Sequence, residues 1–265
     1  MNTKSRITSI LNTESLDSSV TGFPTFDLSH LQIPKELDFQ LPTNIRLGHL
    51  AERIVSHLIQ SSLNYKIVYE NIQILEHQQT IGEIDFIIED IKEKQLIHLE
   101  LAYKFYLFDP SISTEATHNW IGPNRNDSLI EKLGKLRTKQ FPLLYNPCTV
   151  SQLQNIGISQ VSQALCLLVS LFVPYDFKQK LDSVYQKAIK GYYLNLETFI
   201  RLDSPDKRYY LPSKTAWGID PSENEIWHDF NTIKEQLRTS MQEKQAPLCW
   251  QQQQGTYIEF FIVWW

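Results

Sequence analysis

The stretch GEIDFIIEDIKEKQLIHLELAYKFYL, residues 82–107, decides the fold of this chain. Apolar and polar residues alternate on both sides of the short charged segment 91–94, which predicts two antiparallel strands joined by a turn. Alternation places Asp85 on one face of the first strand, and Glu100 and Lys104 on one face of the second. Charged side chains are rarely buried in a sheet unless they are paired or have a functional role. We therefore expect one face to be core and the other to be a charged trough with a function.

The expected register sets two carboxyl groups against each other. If Asp90 pairs with Gln95 around the turn, Asp85 lies directly across from Glu100. Directly opposed side chains stand roughly 4.5–5.5 Å apart at Cβ, where like charges are destabilising. A divalent cation between them would remove the repulsion, and oxygen ligands suit Mg²⁺ or Mn²⁺. Lys104 lies further along the same face, where an ammonium group could assist a metal-bound water or a phosphate under attack.

Other apolar patterns predict the elements around this hairpin. Apolar residues at helical spacing indicate a helix over 45–59, alternation indicates a strand over 65–75, and a leucine stripe indicates a helix over 128–140. The dense apolar run 161–173 predicts a buried strand, although a helix fits the same run. The order helix, strand, strand, strand, helix, strand predicts an α/β (α+β) fold in which helices flank a mixed sheet.

The last third of the chain predicts a smaller α/β extension. We expect a strand over 208–217, a helix with one apolar face over 227–243, and a terminal strand over 256–265 that inserts into a sheet. That terminal strand is apolar except for Glu259, and the glutamines 251–254 before it suggest a polar spacer. The expected segments are an N-terminal arm, a core and a C-terminal extension packed on the core, at 1–44, 45–175 and 176–265.

Composition restricts the class of protein. The 265 residues are 42% hydrophobic and 21% charged, as in ordinary globular proteins. A net charge of −5 argues against indiscriminate nucleic-acid binding over a basic surface, but leaves room for a local basic groove. The longest apolar run is too short to span a bilayer, and the first twenty residues lack the apolar run of a signal peptide. With three cysteines at no metal-ligand spacing, we expect a cytoplasmic protein that does not associate with a membrane.

In its element order and its acids the chain resembles the PD-(D/E)XK nuclease superfamily, which has a restriction-endonuclease-like core. The resemblance implies that Glu52, in the first helix, joins Asp85 and Glu100 as ligands of Mg²⁺ or Mn²⁺. It also implies a catalytic lysine two residues after the second acid. That position holds Ala102, and the lysine follows at Lys104, on the same face of the strand.

Within that superfamily the chain resembles one bacterial family labelled domain of unknown function 1853. The stretches that carry this resemblance are GEIDFIIED (82–90), HLELAYKFYL (98–107) and WIGPNRNDSLIEKLGKLRTKQFPLL (120–144). It is concentrated in residues 45–145.

A row of basic residues on the second predicted helix suggests a binding surface for a phosphate backbone. Lys132, Lys135 and Lys139 recur at i, i+3 and i+7, and Arg125 stands just upstream. A solvated helix face explains the same pattern. In relatives within the superfamily this helix supplies auxiliary active-site residues, which adds Gln140 to the candidates for substrate binding.

Several candidate site residues also have a purely structural interpretation. Asp85 and Glu100 could form a solvated edge with Lys104 as their salt-bridge partner. His98 shares the face of Glu100, where a hydrogen-bonded structural histidine is the preferred interpretation over a metal ligand. Glu52, taken by itself, is typical of an exposed helix residue.

The residues and the resemblance together predict a metal-dependent nuclease. In this hypothesis Glu52, Asp85 and Glu100 hold the metal, Lys104 assists hydrolysis of a phosphodiester bond, and nucleic acid is the partner, with DNA favoured over RNA. A non-catalytic nucleic-acid-binding or scaffold protein on the same fold stays open because Ala102 occupies the usual lysine position. A sugar or nucleotide phosphohydrolase also stays open, as does self-association into a homo-oligomer.

Overall fold

A computed structural model describes residues 3–34, 37, 39–42 and 45–265. Its strands are β1 (Tyr65–Glu76), β2 (Gln79–Asp90), β3 (Gln95–Phe108), β4 (Trp120–Ile121), β5 (Ser162–Pro174), β6 (Ile189–Asn195), β7 (Arg208–Tyr210), β8 (Leu248–Gln253) and β9 (Thr256–Val263). Its helices are α1 (Thr3–Leu11), α2 (Ser18–Thr21), α3 (Leu47–Gln60), α4 (Leu129–Lys135), α5 (Phe141–Leu143), α6 (Pro147–Gln152), α7 (Ser183–Gln186), α8 (Leu196–Leu202) and α9 (Phe230–Gln242). Within the described residues the strands form a mixed, mostly antiparallel sheet in the order β1-β2-β3-β5-β6-β9-β8-β7, with β4 paired to β3.

The chain divides into two compact units, each built from separate stretches of sequence. Unit 1 comprises Met1–Glu14, Lys104–Ile130 and Val169–Trp265. Unit 2 comprises Ser15–Tyr103 and Glu131–Leu168. This division differs from the predicted segments, because the long strands β3 and β5 each contribute residues to both units.

Unit 2 contains the predicted helix and hairpin. The apolar stripe of α3 is buried at Leu50, Ile54 and Leu58, as its helical spacing requires. In the hairpin, Asp90 pairs with Gln95 around the turn, and the ladder continues to the pair of Phe86 with Leu99. The predicted register of β2 and β3 is confirmed.

Strand β3 is buried on both faces. The face that the sequence suggested as a charged trough carries His98, Glu100 and Tyr106, and each of these is fully buried. In unit 2 this cover comes from the segment after α4, where the ring of Phe141 meets the ring of His98 at 5.4 Å between centroids. The trough predicted from alternation is therefore a buried polar cluster.

The predicted helix over 128–140 is interrupted by a π-helical turn. Helix α4 ends at Lys135, and the π turn Leu136–Gln140 leads directly into α5. The backbone N–H of Phe141 donates to Leu136 O, five residues back, and Pro142 has no N–H with which to restore the α pattern. The wider turn changes the spacing at which side chains share a face after Lys135.

Unit 1 contains the terminal strand, which inserts into the sheet as predicted. Strand β9 pairs in parallel with β6 and antiparallel with β8, and its residues Phe260, Phe261 and Ile262 are fully buried. The predicted glutamine spacer is wrong, because β8 extends through Gln253 and Gln251 is buried. The strand predicted over 208–217 is confined to β7. Among the described helices, none combines the length and apolar character needed to cross a membrane.

Candidate active site

The hairpin holds two carboxyl groups face to face where its hydrogen-bond ladder stops. The β2–β3 ladder ends at the pair of Phe86 with Leu99. Directly beyond it, the backbone N–H of Leu101 donates to Asp85 Oδ2 at 2.8 Å, and the backbone N–H of Asp85 donates to the carboxylate of Glu100. Side-chain carboxyl groups thus take the place of carbonyl acceptors in the ladder. The structure brings Asp85 and Glu100 together, one from each strand.

Burial and mutual repulsion hold protons on this pair. Burial, followed by the negative charge of Glu100, raises the pKa of Asp85 to about 8. Burial also raises the pKa of Glu100 to about 7, and the charge of Glu52 contributes in the same direction. Carboxyl groups whose pKa values are raised to near neutrality are typical of functional sites. A positive charge placed between these two would favour their ionised forms.

His98 fixes one oxygen of Glu100. Its Nε2 lies 2.8 Å from Glu100 Oε1, and Gln163 Nε2 lies 3.4 Å from its Nδ1. Burial lowers the pKa of His98 to about 4, so the imidazole is neutral at neutral pH. An amide N–H can only donate, so Nδ1 is the acceptor and Nε2–H donates to Glu100. The prediction of a hydrogen-bonded structural histidine is confirmed.

Lys132 and Gln140 fix the other oxygen of Glu100. Lys132 Nζ donates to Gln140 Oε1 at 2.9 Å, and Gln140 Nε2 donates to Glu100 Oε2 at 2.6 Å. The positive charge of Lys132 lowers the pKa of both Glu100 and Asp85 against the effect of burial. Lys132, which the sequence suggested as a contact for a phosphate backbone, is thus the ammonium group associated with the acidic pair.

Lys104 has a different partner. It belongs to unit 1, and its Nζ donates to Asp127 Oδ2 at 2.8 Å in an ion pair whose two side chains are about one-third exposed. Asp127 fits there because residue 122 is glycine: a Cβ on Gly122 would lie 2.0 Å from Asp127 Oδ1. The position of Lys104 on the strand could be predicted from alternation, but its partner, 23 residues later, could not.

Glu52 and Asp85 line a recess in unit 2 with a volume of about 260 Å³. Lys139 and Gln140 line the same recess, so it gathers four of the predicted site residues. Glu52 Oε2 lies 3.0 Å from His49 Nδ1, at the exposed side of α3. Within the described part of the chain, no three side chains of Asp, Glu, His or Cys form a group arranged to hold a metal ion.

The donor chemistry of the pair nevertheless fits Mg²⁺ or Mn²⁺. Both ions take carboxylate oxygens, and Mg²⁺ commonly uses only one or two carboxylates with waters completing its shell. The carboxylate of Glu100 accepts hydrogen bonds from His98, from Gln140 and from the backbone N–H of Asp85, and a carboxylate offers about four lone-pair sites, so one is left for an ion. Asp85 remains partly exposed at the recess. These two acids could hold such an ion, and Glu52 and Glu83 are further acids that line the recess.

The remaining predicted substrate contacts are dispersed. Lys135 is exposed on α4, whereas Lys139 is exposed at the recess itself. Arg125 belongs to unit 1, where its Nη1 donates to Asp109 Oδ2 at 3.0 Å and its guanidinium lies 4.5 Å from the centre of the Trp265 ring. Of these three cations, only Lys139 lies beside the carboxyl groups.

A family model described as "Domain of unknown function (DUF1853)" matches residues 23–259. Comparison with curated proteins gives no match, and comparison with solved structures gives none either.

Proposed function

The chain belongs to the DUF1853 family, and we propose that it is a Mg²⁺- or Mn²⁺-dependent nuclease of the PD-(D/E)XK type. The observation that carries the proposal is the facing pair Asp85 and Glu100, whose pKa values are raised to about 8 and about 7. Two adjacent carboxyl groups that are largely removed from solvent reduce stability once both ionise, so a cation-binding role explains their presence. The proposed reaction is hydrolysis of a phosphodiester bond in nucleic acid, with DNA as the favoured substrate.

The order of elements supports the same type of fold. Helix α3, strands β1, β2 and β3, helix α4 and strand β5 follow each other in the predicted sequence of helix, three strands, helix and strand. Asp85 lies in the second of these strands, Glu100 lies in the third, and Glu52 lies in the first helix. Each acid thus occupies the element in which the superfamily places its own acids.

In the proposed site, Asp85 and Glu100 are the metal ligands, assisted by Glu52. A bound divalent ion would lower the pKa of a coordinated water and polarise the scissile phosphate. The neutral imidazole of His98 and the amide of Gln140 keep the Glu100 carboxylate in one orientation. Preorganised ligands of this kind lose little freedom when the ion binds.

We assign the role of the superfamily lysine to Lys132. Its ammonium group is joined to Glu100 through the amide of Gln140, and its charge favours ionisation of both acids. Lys104, at the displaced strand position, is instead paired with Asp127. Lys132 is therefore a positioning residue that maintains the charge of the site, and Lys139, exposed at the recess, suits a phosphate of the substrate.

One observation favours a second candidate, a non-catalytic nucleic-acid-binding protein. Both oxygens of Glu100 already accept hydrogen bonds, from His98 and from Gln140. A carboxyl group that is satisfied within the chain can be structural. In that alternative, Ala102 at the usual lysine position marks a site that no longer cleaves.

Cleavage assays separate the two candidates. Plasmid DNA, single-stranded DNA and RNA are each incubated with Mn²⁺ and the wild-type protein, with Asp85→Asn, or with Glu93→Gln as the matched control. Glu93 lies in the exposed hairpin turn, so its variant should cleave as the wild type does. We expect the rate for Asp85→Asn to fall roughly 100-fold or more, because the metal loses a ligand. Binding without cleavage by both wild type and Asp85→Asn would favour the second candidate, and neither binding nor cleavage would contradict both.

A further inference from the structure

Unit 1 contains a separate cavity of about 400 Å³. Its wall comes from α1, from β6, β8 and β9, and from the loop that carries Gly218 and Asp220. The volume lies within the range of cavities that hold small organic ligands, which is roughly 300–1,000 Å³. The cavity shares no residue with the recess of unit 2, and the proposed nuclease activity makes no use of it.

Two buried polar groups of this cavity have no hydrogen-bond partner among the residues that the structure describes. Oxygen Oε1 of Glu259 and the indole Nε1–H of Trp250 are both buried and both unpaired. Glu259 is 7% exposed and lies in β9, which is otherwise apolar. Buried polar atoms in native proteins almost always have a partner, so each unpaired atom needs an explanation.

The two unpaired groups are neighbours. Trp250 of β8 and Glu259 of β9 are directly opposed in the antiparallel ladder. Side chains at opposed positions share one face of the sheet, with Cβ atoms roughly 4.5–5.5 Å apart. An acceptor and a donor therefore stand side by side at the same cavity.

The approach of β6 to β9 at this point depends on a glycine. A Cβ on Gly191 would lie 1.8 Å from the backbone oxygen of Glu259, so no other residue fits without a shift of the backbone. The adjacent Lys190 lines the cavity, and its positive charge partly opposes the effect of burial on the pKa of Glu259, which is raised to about 8.

The charges of the cavity favour a cationic ligand. Its lining side chains include three carboxyl groups and two ammonium groups, which belong to Asp220, Glu223, Glu259, Lys4 and Lys190. The lining also includes hydroxyl groups from α1 and from the loop, at Ser5, Thr8 and Ser222. Because the pKa of Glu259 is raised to about 8, two carboxylates face two ammonium groups while Glu259 keeps its proton. A cationic ligand would favour the ionised form of Glu259, which adds a third negative charge to a cavity lined with hydroxyl groups.

We infer that this cavity binds a small polyhydroxylated primary amine of the amino-sugar class. The ammonium group of the ligand would pair with the carboxylate of Glu259, and a neighbouring hydroxyl oxygen would accept from the indole N–H of Trp250, after small rotations of these two buried side chains that open Oε1 and Nε1 to the cavity. The remaining hydroxyl groups of the ligand would bond to the serine and threonine hydroxyls of the wall. A charged donor to a buried carboxylate forms one of the stronger hydrogen bonds in proteins.

Calorimetric titration of the full chain tests this inference with three related probes. Glucosamine carries the amine, glucose lacks it, and N-acetylglucosamine has it blocked as an amide. We expect glucosamine to bind at about 1 mM or tighter. Glucose and N-acetylglucosamine should bind roughly tenfold or more weakly, because neither offers a charged donor to Glu259. Equal binding of glucosamine and glucose, or no binding of glucosamine, would overturn the inference.

Variants connect the binding to the two unpaired groups. Glu259→Gln keeps the volume and should lower glucosamine affinity to the level of glucose, whereas the exposed Glu225→Gln serves as the matched control and should bind normally. Trp250→Phe removes the indole N–H and should weaken binding by roughly three- to tenfold. Circular dichroism shows whether each variant is folded. If folded Glu259→Gln retains the preference for glucosamine, the inference is wrong.

The pH dependence provides a second signature. The groups around Glu259 that carry charge are Lys190 on β6, Lys4 on α1, and Asp220 and Glu223 in the loop. Because the pKa of Glu259 is raised to about 8, only a fraction of it is ionised at pH 6. Glucosamine affinity should rise by up to about tenfold from pH 6 to pH 7 in the wild type, and it should not rise in folded Glu259→Gln. A flat wild-type profile would count against Glu259 as the partner of the amine.

Discussion

Glu100 and Glu259 are two buried glutamates in different units, and they differ in what surrounds them. Burial raises the pKa of both, to about 7 for Glu100 and to about 8 for Glu259. Glu100 has a hydrogen-bond donor on each oxygen and a second carboxyl group, Asp85, across the strand. Within the described part of the chain, Glu259 has an oxygen without a hydrogen-bond partner, and Trp250 beside it has an indole N–H without one.

The difference shows that burial alone does not define the role of a carboxyl group. At Glu100 the chain supplies the hydrogen bonds and leaves an excess of negative charge, which a metal ion could neutralise. At Glu259 the chain supplies a cavity and leaves hydrogen bonds unmade, which an organic ligand could complete. The two sites should therefore respond to different ligands and to different substitutions.

After the loss of the metal ligand in Asp85→Asn, the largest effect on cleavage should come from Lys132→Met, which removes the ammonium group associated with Glu100. Cleavage should slow by roughly 10- to 100-fold. Because the charge of Lys132 lowers the pKa of both acids, its loss raises those values, and the pH–rate profile should move to higher pH. The exposed Lys135→Met is the matched control on the same helix, and its profile should stay in place.

Lys104→Met is the competing variant for this assignment. If Lys104, and not Lys132, assists the reaction, its variant should show the larger loss of rate and Lys132→Met the smaller one. That result would support Lys104, the lysine predicted from strand alternation, as the assisting residue. It would contradict the role given to Lys132.

Asp85→Asn should change how stability depends on pH. A carboxyl group whose pKa is about 8 in the folded protein, against 3.8 unperturbed, keeps its proton in the native state after the unfolded chain has lost it. The free energy of unfolding should therefore fall as pH rises from about 4 to about 8. Between pH 5 and pH 8, urea titrations with EDTA should show a decrease about 2 kcal/mol larger in the wild type than in Asp85→Asn. Equal decreases would contradict a protonated pair.

Glu259→Gln should show the same trend with a similar size. The pKa of Glu259 is raised from 4.5 to about 8, against 3.8 to about 8 for Asp85, so its ionisation too lowers stability as pH rises towards 8. The pH-dependent difference from wild type should be about 2 kcal/mol in the absence of ligand. No pH-dependent difference between Glu259→Gln and wild type would contradict a protonated Glu259.

The smallest effect should come from the ion pair of Lys104 with Asp127. Both side chains are about one-third exposed, and such pairs contribute at most about 1 kcal/mol. In urea titrations, Lys104→Met should lower the free energy of unfolding by no more than that, and high salt should reduce the difference. A salt-independent loss of several kcal/mol would show that Lys104 has a larger structural role.

Local pattern was enough to predict the hairpin and the insertion of β9. The length of the turn sets the pairing of Asp90 with Gln95, and the period of two then carries the register along both strands. A strand as apolar as the one around Phe260 and Phe261 is stable only inside a sheet whose two faces are both buried. These features depend on residues that are close in sequence.

Features that depend on distant residues could not be predicted in this way. The burial of Glu100 depends partly on Gln140, 40 residues later, and the π turn that precedes Phe141 has no period that a sequence pattern reveals. The single charge in the terminal strand, at Glu259, was visible in the sequence. That Trp250 lies opposite Glu259 could not be predicted, because the glutamine-rich sequence of β8 did not indicate a strand.

The most direct test of the account is Mn²⁺ binding, followed by the loss of the free-ion signal in electron paramagnetic resonance. Wild-type protein and Asp85→Asn are titrated at pH 7.5, with Glu93→Gln as the control. The wild type and the control should each bind Mn²⁺ at the pair of Asp85 and Glu100. Asp85→Asn should leave the ion free at the same concentrations. Equal binding by wild type and Asp85→Asn, or no binding by the wild type, would contradict the claim that the acidic pair is a metal site.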